Sequence, residues 1–310
     1  MRCIGSLVFC LEPHRTPRWR THRSRGCPRI CLDFNETLPG KSVMAILFDL
    51  KDISVQYGSV SALHNFSYQF LSGSITTIIG ENGSGKSTLL NCLAGLVPTH
   101  SGAICFEGQM LSNFSPLEIA QSISSLGQSD VKISDMPVWM RVSQGFYPHE
   151  GASFVPNAEQ QNAIEAIAEE LAFHHCLHRQ LGQLSGGERR RVNLARALVD
   201  PRPKAIVLDE PFANIDIGHQ PLVIDALHKR HQTGQTIICA VQQLHLVPEL
   251  NGTVLGMRGG QMEASGAASD ILTDAQLEKL FNRKGRLVQT TEGFSGVLFE
   301  TPKQRGKNPN

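Results

Sequence analysis

Nine consecutive residues, Gly80-Glu81-Asn82-Gly83-Ser84-Gly85-Lys86-Ser87-Thr88, have the types and order that suit phosphate binding. They fit the spacing G-x-x-x-x-G-K-[ST], in which small residues let the backbone wrap closely around phosphates. Successive N–H groups of such a loop point inward as a nest for anions. Lys86 would reach the β- and γ-phosphates of a nucleotide, and the Ser87 hydroxyl would help to hold Mg²⁺. The flanking sequence supplies what the loop needs. Ser74-Ile75-Thr76-Thr77-Ile78-Ile79 reads as a preceding strand, and Thr88 to Ala94 as a following helix with its positive end toward the phosphates.

A second run, Leu184-Ser185-Gly186-Gly187-Glu188, precedes an apolar segment that ends in two carboxylates, Ala205-Ile206-Val207-Leu208-Asp209-Glu210. Together with the loop, these resemble the signature and acidic strand end of ATP-binding-cassette (ABC) ATPases, in that family's order. The resemblance runs from about Leu47 to Phe281. It implies that Asp209 holds Mg²⁺ and that Glu210 polarises the attacking water, which needs a carboxylate within hydrogen-bond reach. By the same resemblance Gln128 is the Q-loop glutamine, a further Mg²⁺ contact beside Ser87 and Asp209. Asp216 is the D-loop aspartate, and Tyr57 is the aromatic residue that stacks on adenine. After the apolar stretch Thr236 to Val241 the family places a histidine, where this chain has Gln242; His245 follows three residues later. Glutamine donates a neutral hydrogen bond and brings no positive charge toward the transition state, so binding is expected to survive and the hydrolytic rate to fall.

The elements that position these groups follow from the pattern. Phe66-Ser67-Tyr68-Gln69-Phe70 alternates as a half-buried strand does and belongs with Leu50 to Val55 in an antiparallel sheet. Ile164, Ile167 and Leu171 recur at helical spacing beside Glu165 and Glu169, giving one apolar and one solvated face. The expected fold is α/β. It is that of a P-loop NTPase of the ABC type, with a parallel nucleotide-binding core, an antiparallel β-subdomain and an α-helical signature subdomain. The cassette is expected over residues 44–281, its helical subdomain over about 113–183. A C-terminal extension with a polar tail occupies 282–310.

Residues 1–43 differ from the remainder. They carry a net charge of +5 against −4 for residues 44–310, together with Cys3, Cys10, Cys27 and Cys31. The simplest expectation is that translation starts at Met44 and that 1–43 lie outside the fold. An organelle-targeting segment is the alternative. Cys27 and Cys31 with His14 or His22 lack a recognised zinc spacing. The run His174-His175-Cys176-Leu177-His178 reads as a helix end and turn rather than a metal site. Cys92, Cys105, Cys176 and Cys239 read as buried thiols of a reducing compartment.

Composition narrows the class. The 310 residues carry a net charge of +1, so no strong field for nucleic acid or membrane is implied. The apolar runs are shorter than the roughly 18 residues of a membrane span. Only 98 residues lie between Lys86 and Ser185, without sustained heptads, which excludes the long arms of chromosome ATPases. A single cassette also sets the chain apart from translation factors of the superfamily. The resemblance implies a head-to-tail pair of cassettes, simplest as a homodimer, in which Ser185, Gly186 and Gly187 of one chain contact the γ-phosphate held by the other. It also implies ATP and Mg²⁺ as cofactors, permease subunits in the membrane, a solute-binding protein and a place on the cytoplasmic face. The segment Pro137 to His149, which contains Tyr147-Pro148-His149, resembles importers of metal ions, siderophores, haem and cobalamin. Gly73-Ser74-Ile75-Thr76 resembles the zinc, manganese and iron branch. The main expectation is therefore a metal-ion or metal-chelate importer. A siderophore, haem or cobalamin importer is the first alternative, and a regulatory ATPase with weak hydrolysis the second.

Overall fold

The computed structural model describes residues 45–127, 135–151, 155–289 and 295–300. The N-terminal extension over residues 1–43 lies outside the described residues, as do Gln128 and the polar tail.

Strands β1 (Ile46–Tyr57) and β2 (Val60–Leu71) form a hairpin that pairs Leu50 with Tyr68 and Ile53 with Phe66. The alternation of Phe66, Tyr68 and Phe70 thus sits in the antiparallel sheet that the sequence suggested. After β3 (Ile75–Ile79) and helix α1 (Lys86–Leu93), β4 (Ser101–Phe106) and the short β5 (Gln109–Met110) complete that sheet, in the order β2-β1-β4-β5. Helix α2 (Pro116–Ser122) leads to β6 (Ile123–Leu126). Helices α3 (Val138–Ser143), α4 (Tyr147–Glu150) and α5 (Ala158–Glu170) follow, and then α6 (Gly186–Leu198). The core resumes with β7 (Ala205–Asp209), α7 (Gln220–Gln232), β8 (Thr236–Ala240), β9 (Thr253–Arg258) and β10 (Gln261–Gly266). Helices α8 (Ala268–Ile271) and α9 (Asp274–Phe281) precede a hairpin of β11 (Gly285–Gln289) and β12 (Ser295–Phe299).

The central sheet runs β10-β9-β3-β8-β7-β6, with every neighbouring pair parallel except β10 with β9. Strands covered on both faces read as continuous apolar runs, and β7 and β8 are buried throughout. Their side chains alternate between two cores. Ile206, Leu208, Ile237 and Cys239 enter the larger one, beneath the helices α5, α6 and α7. Ala205, Val207, Ile238 and Ala240 enter the other, with α1 and the antiparallel sheet. Phe48, Phe70 and Phe106 anchor the second core, ring to ring at 5.0 and 6.2 Å.

One expectation needs correction. The range 113–183 is not wholly a helical subdomain, because Ile123–Leu126 pairs in parallel with Ala205–Leu208 as the last strand of the core sheet. Ser124 and Ser125 hid this strand. A polar pair at a covered position is tolerated because the Ser124 hydroxyl donates to the Ala197 carbonyl at 2.8 Å. Within the C-terminal extension, β11 and β12 pair as a hairpin and Phe281 packs edge-on against Phe299.

Candidate nucleotide site

Parallel strands β3, β8 and β7 deliver their C-terminal ends to one edge, where ligands of open α/β sheets bind. The phosphate loop leaves β3 there and turns into α1. Gly85 caps that helix with φ +100°, and a Cβ there would stand 2.6 Å from the Ala62 carbonyl oxygen, so only glycine fits. No side chain caps α1 and no acidic residue stands in its first turn. Lys86 is buried and donates to the carbonyls of Gly80 and Glu81, both at 2.8 Å. Burial pushes the Lys86 ammonium below its ordinary range, and the nearby carboxylates of Glu210, Asp209 and Glu81 partly offset this.

Asp209 closes β7, and its Oδ1 is buried with no hydrogen-bond partner among the described residues. An orphaned carboxylate oxygen beside a buried lysine is costly by itself and suits a hard divalent cation. Glu210 follows in a left-handed conformation, φ +52°, fixed by its N–H donating to Ala240 at 3.0 Å. Gln242 lies just past β8. Its Nε2 donates to the Glu210 carboxylate and to Asn82 Oδ1, the latter at 3.2 Å. One amide therefore ties the acidic strand end to the phosphate loop. Gly80, Glu81, Asn82, Val241, Gln242 and Phe281 line a cleft of about 430 Å³.

The residues of the second run form a different kind of helix start. Ser185 caps α6, accepting from the Glu188 N–H at 3.2 Å, while Glu188 Oε2 accepts from the Ser185 N–H at 2.9 Å. That reciprocal bond holds the Glu188 carboxyl down at about 2. Gly186 and Gly187 lie against Asn214, and a Cβ on Gly187 would meet the Asn214 carbonyl oxygen at 2.9 Å. The loop carrying Asp216, which is exposed, thereby abuts the start of α6.

The geometry matches the set Lys86, Asp209 and Glu210 at the edge of a parallel sheet, with a long helix beginning at Ser-Gly-Gly beside them. An ABC transporter family model matches residues 63–213. The chain is 30% identical over 243 residues to the hemin import ATP-binding protein HmuV of Rhizobium meliloti, covering 76% of this chain and 91% of that one. The chain belongs to the ABC transporter ATP-binding family. It is similar also to the iron(3+)-hydroxamate import ATP-binding protein FhuC of Bacillus subtilis, at 28% identity over 77% of this chain and 88% of the relative. Among solved structures, the ADP conformation of the ATP-binding cassette MJ1267 superposes with a TM-score of 0.66. That match has 27% identity and covers 76% of this chain and 98% of the other. The family is one of ATPases, whose members bind ATP and generally require Mg²⁺.

Within the cassette, the sequence-predicted residues divide. Glu81, Asn82, Lys86, Asp209, Glu210 and Gln242 converge on the sheet edge, with Ser84, Ser87 and Thr88 in the same loop and helix start. Tyr57 is half exposed at the end of β1, outside the cleft lining. Gln128 lies outside the described residues. His245 does not share the contacts of Gln242; it is exposed and lines a neighbouring cavity with Phe281, Val297 and Phe299. Sequence reasoning missed Arg190. Buried in α6, it donates to the carbonyls of Asp209, of Glu210 at 2.8 Å and of Gly127 at 3.2 Å. An arginine on the buried face of a helix just after Ser-Gly-Gly was the signal available.

Proposed function

We propose that this chain is the ATP-hydrolysing subunit of an importer for a metal chelate of the siderophore, haem or cobalamin class. The reading rests on one observation. The match extends over nearly the whole length of relatives named for import of iron hydroxamate and hemin, and the nucleotide site is built around Lys86, Asp209 and Glu210. These names favour the siderophore, haem or cobalamin reading, the first alternative from sequence, over the metal-ion or metal-chelate importer of the zinc, manganese and iron branch that the sequence alone put first.

In this reading the loop N–H groups and the Lys86 ammonium bind the β- and γ-phosphates. Asp209 Oδ1 and the Ser87 hydroxyl, with Gln128, hold Mg²⁺, which neutralises phosphate charge when bound. Glu210 orients the attacking water through its carboxylate. Gln242, at the position where the family has histidine, spends both amide N–H groups on Glu210 and Asn82 and so fixes that carboxylate against the phosphate loop. Tyr57 supplies an aromatic face for adenine. Ser185, Gly186 and Gly187 contact the γ-phosphate in a second cassette, with Asp216 at the seam. A chain with one loop and one signature completes its site only as a pair, here a homodimer. Permease subunits and a solute-binding protein complete the importer, with the cassette on the cytoplasmic face of the membrane. Among the described residues no helix is long and apolar enough to cross a membrane.

Two measurements test this. Glu210→Gln should slow hydrolysis by about 10²–10³-fold, retain ATP affinity and accumulate an ATP-bound dimer on sizing chromatography. A monomer under saturating Mg-ATP would count against the paired site. Deleting the gene in its host should abolish uptake of a ferric siderophore, hemin or cobalamin, and Glu210→Gln should fail to restore it. Loss of free zinc, manganese or iron uptake with all three chelates unaffected would favour a free metal ion as cargo instead.

A further inference from the structure

Beside the start of α6 lies a group of donors that the nucleotide site does not use. We propose that His175 Nε2, Cys176 Sγ and Glu188 Oε1 form a binding site for a thiophilic divalent cation of the zinc class, with water as fourth ligand.

The three donor atoms all lie within 4.8 Å of one another. Glu188 Oε1 is 3.2 Å from His175 Nε2 and 3.3 Å from Cys176 Sγ. Zinc bonds of about 2.0–2.3 Å set tetrahedral donors roughly 3.3–3.8 Å apart, so the two edges that meet at Glu188 are already close to length. One nitrogen, one sulfur and one carboxylate oxygen with an open position is a donor set that zinc accepts.

The sequence reading of the run His174 to His178 as a simple turn considered only neighbours along the chain. The turn is real, but its third donor comes from α6, twelve residues beyond Cys176. His174 and His178 are exposed and are not part of the group.

The surroundings suit a cation. Cys176 is fully buried, whereas 58% of the His175 side chain is exposed, which leaves an entry path over the imidazole. Glu188 Oε2 is already held by the Ser185 N–H, so the carboxylate is oriented from behind while Oε1 faces the other donors. Burial and Glu188 raise the Cys176 thiol above its ordinary range, and Arg179 and Arg191 offset this only in part, so the cation must displace the thiol proton. Binding breaks the S–H bond, sends the proton to bulk water and forms a sulfur–metal bond, with no change of oxidation state. Thiolate and carboxylate then balance the two charges of the cation. Affinity should fall as pH falls, because the proton competes with the metal. Since Oε2 keeps the cap, a bound cation ties the His174–Cys176 turn to the first turn of α6. The proposal does not depend on what the importer carries.

Cobalt(II) reports the site directly. The test uses the full-length chain with Cys3, Cys10, Cys27 and Cys31 replaced by serine, so that those thiols cannot contribute. One equivalent of cobalt(II) should produce a thiolate-to-cobalt charge-transfer band with the d–d bands of a tetrahedral ion, and zinc(II) should bleach both. His175→Ala, at an exposed position that leaves the melting temperature in place, should weaken cobalt(II) binding by on the order of 100-fold or more. Cys176→Ala should abolish the charge-transfer band. Zinc(II) should raise the melting temperature of the parent and not of either variant. No thiolate band in the parent, or a band that survives His175→Ala unchanged, overturns the proposal.

Discussion

Helices α1 and α6 both begin at glycine-containing loops beside the sheet edge, yet their first turns are opposites. The start of α1 has no side-chain cap, no acid and a buried lysine as its first residue. The start of α6 has a serine cap, a reciprocal glutamate and a carboxyl held at about 2. A lysine at a helix N-terminus is unfavourable by the helix dipole, and an uncapped end leaves N–H groups without partners. An anion remedies both defects at once. The α6 start has no such deficit, because Glu188 supplies the negative charge from within. The difference teaches that the first turn of α1 is built to be completed by a ligand and the first turn of α6 to stand by itself. What α6 offers outward is its small residues and its position.

Four substitutions sharpen or break this contrast. Lys86→Ala should act most strongly. It removes charge-assisted bonds worth about 1.5–3 kcal/mol each, so nucleotide affinity should fall by more than about 100-fold in a calorimetric titration. If affinity held while only the melting temperature fell, Lys86 would be an internal strut and the contrast would collapse. Gln242→His comes next. A charge-carrying donor in that place should raise kcat by roughly tenfold with little change in KM, given that a whole donor is worth about 10²–10³. His245→Ala should do little. The reverse pattern would assign the switch to His245.

Glu188→Gln tests the other helix and is smaller, about 1 kcal/mol in denaturant unfolding at neutral pH. Its carboxyl lies below its ordinary 4.5, at about 2, chiefly through the Ser185 N–H. The stabilisation is thus fully present above pH 4.5 and is lost as pH falls toward 2. The gap between parent and variant should narrow across that window, and a constant gap would show that the cap does not need the charge. Deleting residues 1–43 should change least. ATP affinity and melting temperature should be unaltered, because every cassette motif lies beyond Met44; a loss of several degrees would show that the extension packs on the cassette.

Local patterns were legible and distant contacts were not. Gly80 to Thr88 announces itself because adjacent residues must build one nest. The unbroken apolar run Ala205 to Leu208 announces a strand covered on both faces. Helix α5 was readable from Ile164 and Ile167 because its partners need only be apolar. By contrast β6 was hidden, since Ser124 depends on the Ala197 carbonyl more than seventy residues away. Arg190 stands among three consecutive arginines, and only the fold brings it to Asp209, Glu210 and Gly127. The bond from Gln242 to Glu210 joins two strand ends whose adjacency no spacing encodes. The β11–β12 hairpin escaped notice because few of its residues alternate cleanly around Gly285 and Gly296.

The left-handed backbone of Glu210 has a consequence for selection. At φ +52° a side chain with a Cβ costs on the order of 1 kcal/mol, which glycine would relieve and asparagine, hydrogen-bonding to its own backbone, would lessen. A library randomised at position 210 and sorted only for thermal endurance should therefore enrich Gly or Asn. The same library sorted for ATP turnover should return Glu. Heat tolerance and catalysis would pull this one codon in opposite directions, and the hardiest survivors would be the slowest enzymes.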